Sequence, residues 1–222
     1  MIITWYGHAC FKIQTKPQRG SQFDEVVIFT DPFDKSIGLR PPQGNADIVT
    51  ISHTHYDHNN TQSLKGNPLV IDAPGEYSIK NIPIEGIDSF HDNQNGALRG
   101  RNTIFVLESE DIRVCHLGDL GHILNEKQLE KIGEVDVLLV PVGGKYTLGA
   151  KEAEEVVAQI EPKIIVPMHY KVAGLSLDID DEKEFCSRMG AKSNGREAKL
   201  VLKKKDLEEI ENKLVLLEVV NS

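Results

Sequence analysis

The stretch Asp47-Ile48-Val49-Thr50-Ile51-Ser52-His53-Thr54-His55-Tyr56-Asp57-His58 decides how the rest of the chain is read. Ile48, Val49 and Ile51 make Asp47 to Ser52 a buried strand that runs straight into His53. In an extended chain residues i and i+2 project to the same side, so His53 and His55 point into one site. If the chain then turns into a short helix near Asn59 to Leu64, Asp57 and His58 swing to a neighbouring position. Three imidazoles and a carboxylate within six residues form a nitrogen-and-oxygen donor set suited to zinc, iron, manganese or nickel.

Outward from that stretch, the N-terminal half is a series of short strands. Ile2 to Tyr6, Cys10 to Thr15 and Val26 to Asp31 alternate or are wholly apolar, with Lys16 to Asp24 as a hairpin loop. Leu69 to Ala73, Tyr77 to Lys80, Ile82 to Ile87, Thr103 to Ser109 and Ile112 to Leu117 continue the series, punctuated by Pro74-Gly75, Asn81 and Glu110-Asp111. After Asp119 the texture changes to alternation. Helices are expected over Asn125 to Ile132, Ala150 to Ile160 and Asp180 to Met189, stopped by Gly133, Pro162 and Gly190. Strands are expected over Val135 to Val142, Lys163 to Met168, Lys199 to Leu202 and Leu214 to Val219. A strand-rich start followed by strand–helix alternation predicts an α/β fold of four layers, αββα, with two mixed sheets flanked by helices. The chain of 222 residues is read as one domain, 1–222, because no repeat, low-complexity tract or linker divides it.

Composition narrows the function classes. Asp plus Glu (34) exceeds Lys plus Arg (25), giving −9, and the two halves share the deficit about evenly. A long basic grip on nucleic acid is disfavoured, whereas a small anionic substrate is not. The three cysteines, Cys10, Cys115 and Cys186, are far apart, which excludes a disulfide framework or a thiolate zinc knuckle. No apolar run approaches the ~18 residues of a membrane helix, and Met1 to Trp5 lacks a basic leader, so a cytoplasmic protein with no membrane partner is expected.

His53-x-His55-x-Asp57-His58 matches the H-x-H-x-D-H signature of the metallo-β-lactamase fold superfamily, and the resemblance extends over nearly the whole chain. An isolated His91 after a strand, Gly118-Asp119 at a strand end and Pro167-Met168-His169 after a late strand match the later motifs in order. Trp5-Tyr6-Gly7-His8-Ala9 and Pro141-Val142-Gly143-Gly144 further resemble the ascorbate-6-phosphate-lactonase-like branch and its uncharacterised metal-dependent hydrolase relatives. The resemblance implies two divalent ions, zinc first, with manganese, iron or nickel as alternatives. It assigns His53, His55 and His91 to one ion and Asp57, His58 and His169 to the other, with Asp119 bridging. His53, His91, Asp119 and His169 each follow an expected strand, in keeping with ligand loops at one edge of a sandwich.

The function implied is hydrolysis of an ester, lactone or phosphoester in a small molecule, with Asp57, Asp119 and His8 as catalytic residues. A metal-dependent nuclease or phosphodiesterase is the enzymatic alternative, since the same two-metal core cleaves phosphodiesters. A non-catalytic metal-binding protein is the other. For His8, packing and an active-site wall or proton-shuttle role both remain open. Asp31 is read either as orienting a ligand or as starting a turn, His116 as a core histidine that orients a ligand, and His122 as a loop residue near the mouth. Lys145, Tyr146, Arg99 and Arg101 are candidate substrate contacts, the two arginines in a loop after His91. The triple Lys203-Lys204-Lys205 is read as a solvated turn.

Overall fold

A computed structural model of the chain describes residues 1–17, 21–193 and 195–220. Part of the loop expected between Lys16 and Asp24 therefore lies outside the described residues.

The first sheet contains β1 (Ile2–Gly7), β2 (Cys10–Thr15), β3 (Val26–Thr30), β4 (Ile48–Thr50) and β5 (Leu69–Ile71) in that spatial order, with Leu200–Val201 along the outside of β1. The second contains β6 (Gly75–Ile79), β7 (Ile82–Phe90), β8 (Arg101–Ser109), β9 (Ile112–His116), β10 (Val137–Pro141) and β11 (Ile164–Met168), also in sequence order, with Lys213–Leu214 outside β11. Both sheets are mixed. In the first, β1–β2 and β2–β3 are antiparallel, whereas β3–β4 and β4–β5 are parallel. In the second, the pairs from β6 to β9 are antiparallel, and β9–β10 and β10–β11 are parallel.

Alternation explains which faces meet. Ile3 and Trp5 of β1, and Phe11 and Ile13 of β2, are buried with Ile104, Val106, Val114 and Leu138 of the second sheet in one core. Each such side chain contributes roughly 1.5–3 kcal/mol of burial. β10 and β11 are buried at every residue, as parallel strands covered on both faces must be. Helix α2 (Ala150–Ile160) buries Ala153, Val156, Val157 and Ile160, one stripe at helical spacing. Helix α1 (Glu126–Ile132) begins on a reciprocal capping box between Asn125 and Gln128. Gln128 also donates to Asp88 O of β7 at 3.0 Å, which seats the helix on the second sheet.

The fold class is the expected sandwich, but the layer outside the first sheet is not α-helical. Phe29, Val49 and Ile51 are covered there by Phe33, Ile37, Leu64, Leu175 and Ile179 from loops, the 3₁₀ turn Lys35–Ile37 and the two-residue strand Leu64–Lys65; near Asn59 to Leu64, where a short helix was expected, stands the 3₁₀ turn Thr61–Ser63. Helix α3 (Lys183–Arg188) starts later than Asp180 because Asp180 is held elsewhere: its N–H bonds to Gly143 O and its carbonyl accepts from Lys171 N–H. The strand expected over Leu214 to Val219 is a crossing segment. Val215 N–H bonds to Ile165 O on the second sheet, and Val219 bridges Trp5 on the first. Arg101 is the first residue of β8, opposite Phe90, not a loop residue.

Strand direction decides where the loops gather. β1, β3 and β4 run the same way in the first sheet, and β7, β9, β10 and β11 run the same way in the second. His8, Asp31, His53, His91, Asp119, Gly143 and His169 all follow the C-terminal ends of these strands. Close approach there depends on glycine: a Cβ on Gly143 would stand 2.1 Å from His169 O.

Gly143→Ala should therefore force the loops after β10 and β11 apart and cost about 1–3 kcal/mol in urea unfolding; unchanged stability would contradict the contact. A second expectation concerns pH. Asp136 is buried; burial alone would raise its pKa, but Lys163 (2.8 Å), the Arg113 N–H (3.0 Å) and Lys204 (3.0 Å) outweigh that and lower it. A depressed carboxylate stabilises the fold fully above its unfolded pKa of about 3.9 and loses that contribution as pH falls through the folded value. Asp136→Asn should be less stable than the natural chain by about 1–2 kcal/mol at pH 7, with the gap closing below about pH 4. A gap that stays constant down to pH 2 would show that the charge is irrelevant.

Candidate metal centre

Asp119 stands at the middle of the gathered loops and is nearly fully buried. It follows Gly118, which turns the chain at φ 57°; a Cβ there would meet Asn102 Oδ1 at 2.4 Å and Ser52 Cβ at 2.5 Å. Asn102 accepts the Asp119 N–H at 2.9 Å and donates to Leu117 O and Ser89 Oγ, so β8 fixes the aspartate's backbone. The Asp119 carboxylate then meets imidazoles from three other loops. Its Oδ2 lies 3.2 Å from Nε2 of His58, His91 and His169, and 3.9 Å from Nε2 of His53.

Potential ligand atoms fall within 4.8 Å of one another in three groups: His53, His55 and His91; His53, His58 and Asp119; and His8, His58 and His169. Asp57 stands at the rim of the third, its Oδ2 3.9 Å from His58 Nε2 and 3.2 Å from His8 Nε2. The residues singled out in the sequence are thus brought together, with His8 closer to the cluster than a packing role requires.

The inner histidines are oriented from behind. Asp31, in the left-handed region at φ 39° and wholly buried, accepts from His58 Nδ1 at 3.0 Å, from Ser52 Oγ at 2.6 Å and from Ser52 N–H at 2.7 Å. The single Ser52 hydroxyl proton goes to Asp31, so Ser52 Oγ accepts from His53 Nδ1 at 2.9 Å. Both rings thereby carry their proton on Nδ1 and present Nε2 to the centre. Asp31 orients a ligand and is more than a turn residue. Ser52 and Asn102 were not singled out in the sequence; Ser52 adjoins the motif, but nothing local marks Asn102.

The donor set fits a metal ion. Among the described residues, His53 Nε2, His58 Nε2 and Asp119 Oδ1 are buried without a hydrogen-bond partner, a costly state for polar atoms that a cation would relieve. Burial, reinforced by His58, drives the His53 pKa down to about 2, so it is a neutral ring with a lone pair available. Burial works against charge on Asp119 too, but His169 and His58 outweigh it and hold the carboxyl well below the usual range.

Around the mouth, Asp92 organises the loop after His91. It accepts the N–H groups of Gln94, Gly96, Leu98 and Arg99 at 2.7–2.9 Å. Burial raises its pKa, yet these donors prevail and bring it to about 2. The loop delivers Arg99, whose Nη2 donates to Lys145 O at 2.8 Å and whose guanidinium lies 5.8 Å from the Tyr146 ring centre. Lys145 Nζ pairs with Asp178 at 2.5 Å, and Arg101 makes a two-pronged pair with Asp88 at 3.0 and 2.8 Å. A cleft of about 390 Å³ connects His53 and His55 to Arg99 and Arg101. His122 lines a neighbouring cleft with Lys145 and Tyr146; it donates to Ile123 O and accepts from Phe90 N–H, which makes it a loop brace. His116 contacts Ala9 O through Nε2 and accepts from Gly118 N–H, tying the β1–β2 turn to the loop that carries Asp119.

Known proteins resemble this chain in sequence and fold. Residues 2–169 match the family model described as Beta-lactamase superfamily domain. A UPF0173 protein of Pyrococcus abyssi is 33% identical over 192 residues, 78% of this chain and 85% of that protein. A UPF0173 metal-dependent hydrolase of Methanopyrus kandleri is 27% identical over 201 residues, 77% of this chain and 84% of that protein. A crystal structure of a metallo-β-lactamase superfamily protein from Thermotoga maritima is 43% identical and superposes with a TM-score of 0.77, covering 98% of both chains. With its motif residues carried at the C-terminal ends of strands from both sheets, and a family match over most of its length, the chain belongs to the metallo-β-lactamase superfamily.

Proposed function

We propose that the chain is a hydrolase that uses two divalent ions, zinc in the first place, to open an ester, lactone or phosphoester bond in a small molecule. One observation carries the reading: a single Asp119 oxygen stands 3.2 Å from imidazoles of three separate loops. Relatives named metal-dependent hydrolases support it. His53, His55 and His91 would hold one ion and Asp57, His58 and His169 the other, with Asp119 shared. A nitrogen-rich set with carboxylates favours zinc, with iron, manganese or nickel as alternatives. Bound there, the ions would supply Lewis acidity and lower the pKa of water to about 7.

The protein's own groups divide the remaining tasks. Asp119 brings a full negative charge into a buried site and would so offset repulsion between two dications bound there. Asp57 is also ionised: burial opposes its charge, but the bond from His8 and the field of His58 prevail. Partly exposed at the rim, it is placed to accept a hydrogen bond from an attacking water and orient it. Arg99 is the one mouth cation of the three proposed that, among the described residues, pairs with no carboxylate. An anionic substituent on a small substrate would meet Arg99, because Asp178 and Asp88 already compensate Lys145 and Arg101. The net charge of −9 offers no extended basic track for a nucleic acid.

Elemental analysis after zinc loading and desalting should find about two ions per chain; saturation at one or fewer would contradict the two-ion reading. Asp119→Ala should lose both ions, whereas His91→Ala should mainly lose one, and equal losses would remove Asp119 from its shared position. Chelated protein should keep a cooperative unfolding transition, since a core of this size folds without a metal staple. On a panel of aryl esters, lactones and phosphodiesters, a fully loaded protein that turns over none of them would favour a non-catalytic metal-binding role.

A further inference from the structure

His8 occupies a costly conformation. Its φ of 54° lies in the left-handed region that L residues avoid, and the residue is completely buried. The conformation is locked through its carbonyl, which accepts Trp5 Nε1–H at 3.0 Å and His169 N–H at 3.0 Å. The result is a ring wedged between two proposed ligands, 4.6 Å from the His58 ring and 4.3 Å from the His169 ring, centre to centre. Its Nε2 lies 3.2 Å from Asp57 Oδ2, and among the described residues its Nδ1 has no partner. A carboxylate only accepts, so the proton of this contact belongs to Nε2 of His8.

We propose that His8 is a positioning residue for Asp57, an inference that rests on the two-ion reading above. His58 is held by Asp31 and His53 by Ser52, but Asp57 sits on a loop between exposed Tyr56 and buried His58. Among the described residues, the His8 bond is the one hydrogen bond its side chain makes. By donating to Oδ2, His8 fixes the carboxylate's rotation at the edge of the group formed by His58 and His169. The proximity of His8 to His58 and His169 would also suit a third imidazole ligand. A ligand role would use the unpartnered Nδ1 and leave the Nε2–H bond to Asp57 in place, so the double variant below separates the two roles.

The test is zinc titration of the metal-free, full-length protein against a competing chelator dye, comparing the natural chain with His8→Ala, His8→Gln, Asp57→Ala and the double variant His8→Ala/Asp57→Ala. Positioning predicts an unchanged first zinc, and a second zinc bound about 10–100-fold more weakly in His8→Ala. The Gln variant, whose amide still donates at the reach of Nε2, should recover most of the loss. Once Asp57 is gone, removing His8 should add little, because two residues acting through one contact are not additive. A second zinc unchanged in His8→Ala, additive losses in the double variant, or no recovery with Gln would overturn the proposal. Additive losses would point to His8 as a ligand in its own right. A natural chain that binds a single zinc would instead defeat the two-ion reading itself, a separate and recognisable result.

Discussion

Everything at the functional edge is arranged around one ionised carboxylate taken out of water. An Asp119 side chain with almost no solvent contact would be expensive alone, since burying an unpaired charge costs several kcal/mol or more. Its compensation comes from nitrogens on loops distant in sequence, His58, His91 and His169, all at 3.2 Å from the same oxygen. Such convergence needs strands from both sheets to end at one edge, tight loops where Gly118 and Gly143 let backbones approach, and rings whose tautomers are set in advance. Asp31 provides the last of these for two histidines at once, directly for His58 and through Ser52 for His53.

How far the sequence revealed this depended on whether the relevant contact was local. His53, His55, Asp57 and His58 stand within six residues after a strand, so strand periodicity and donor chemistry were enough to nominate them. His91, Asp119 and His169 are single residues dispersed along the chain, and only their resemblance to an ordered set of motifs joined them to the first four. Asn102 was invisible because its partner, the Asp119 N–H, is 17 residues away across a strand pairing. The closing segment misled for a related reason: the apolar run from Leu214 to Val219 reads as one strand, yet its two ends bond to different sheets. Arg101 looked like a loop cation until the β7–β8 register extended to include it and Asp88 neutralised it.

The rim holds the side chains that surround the mouth of the site. Its cations are mostly committed, Lys145 to Asp178 and Arg101 to Asp88, while Arg99 is held against Tyr146 by the loop that Asp92 shapes. Tyr56 and Tyr146 remain exposed beside them. On the function proposed above, such a surface would suit a compact substrate with at most one anionic group better than a polyanion, whose binding grows with the number of free cations it meets.

Whether two ions share Asp119 can be read from an anomalous diffraction map recorded at the zinc absorption edge from a zinc-loaded crystal. Two peaks about 3.5–4 Å apart are expected, one among His53, His55 and His91, the other beside Asp57, His58 and His169, with the Asp119 carboxylate between them. A single peak at full loading, or two peaks that leave Asp119 uncoordinated, would contradict that sharing.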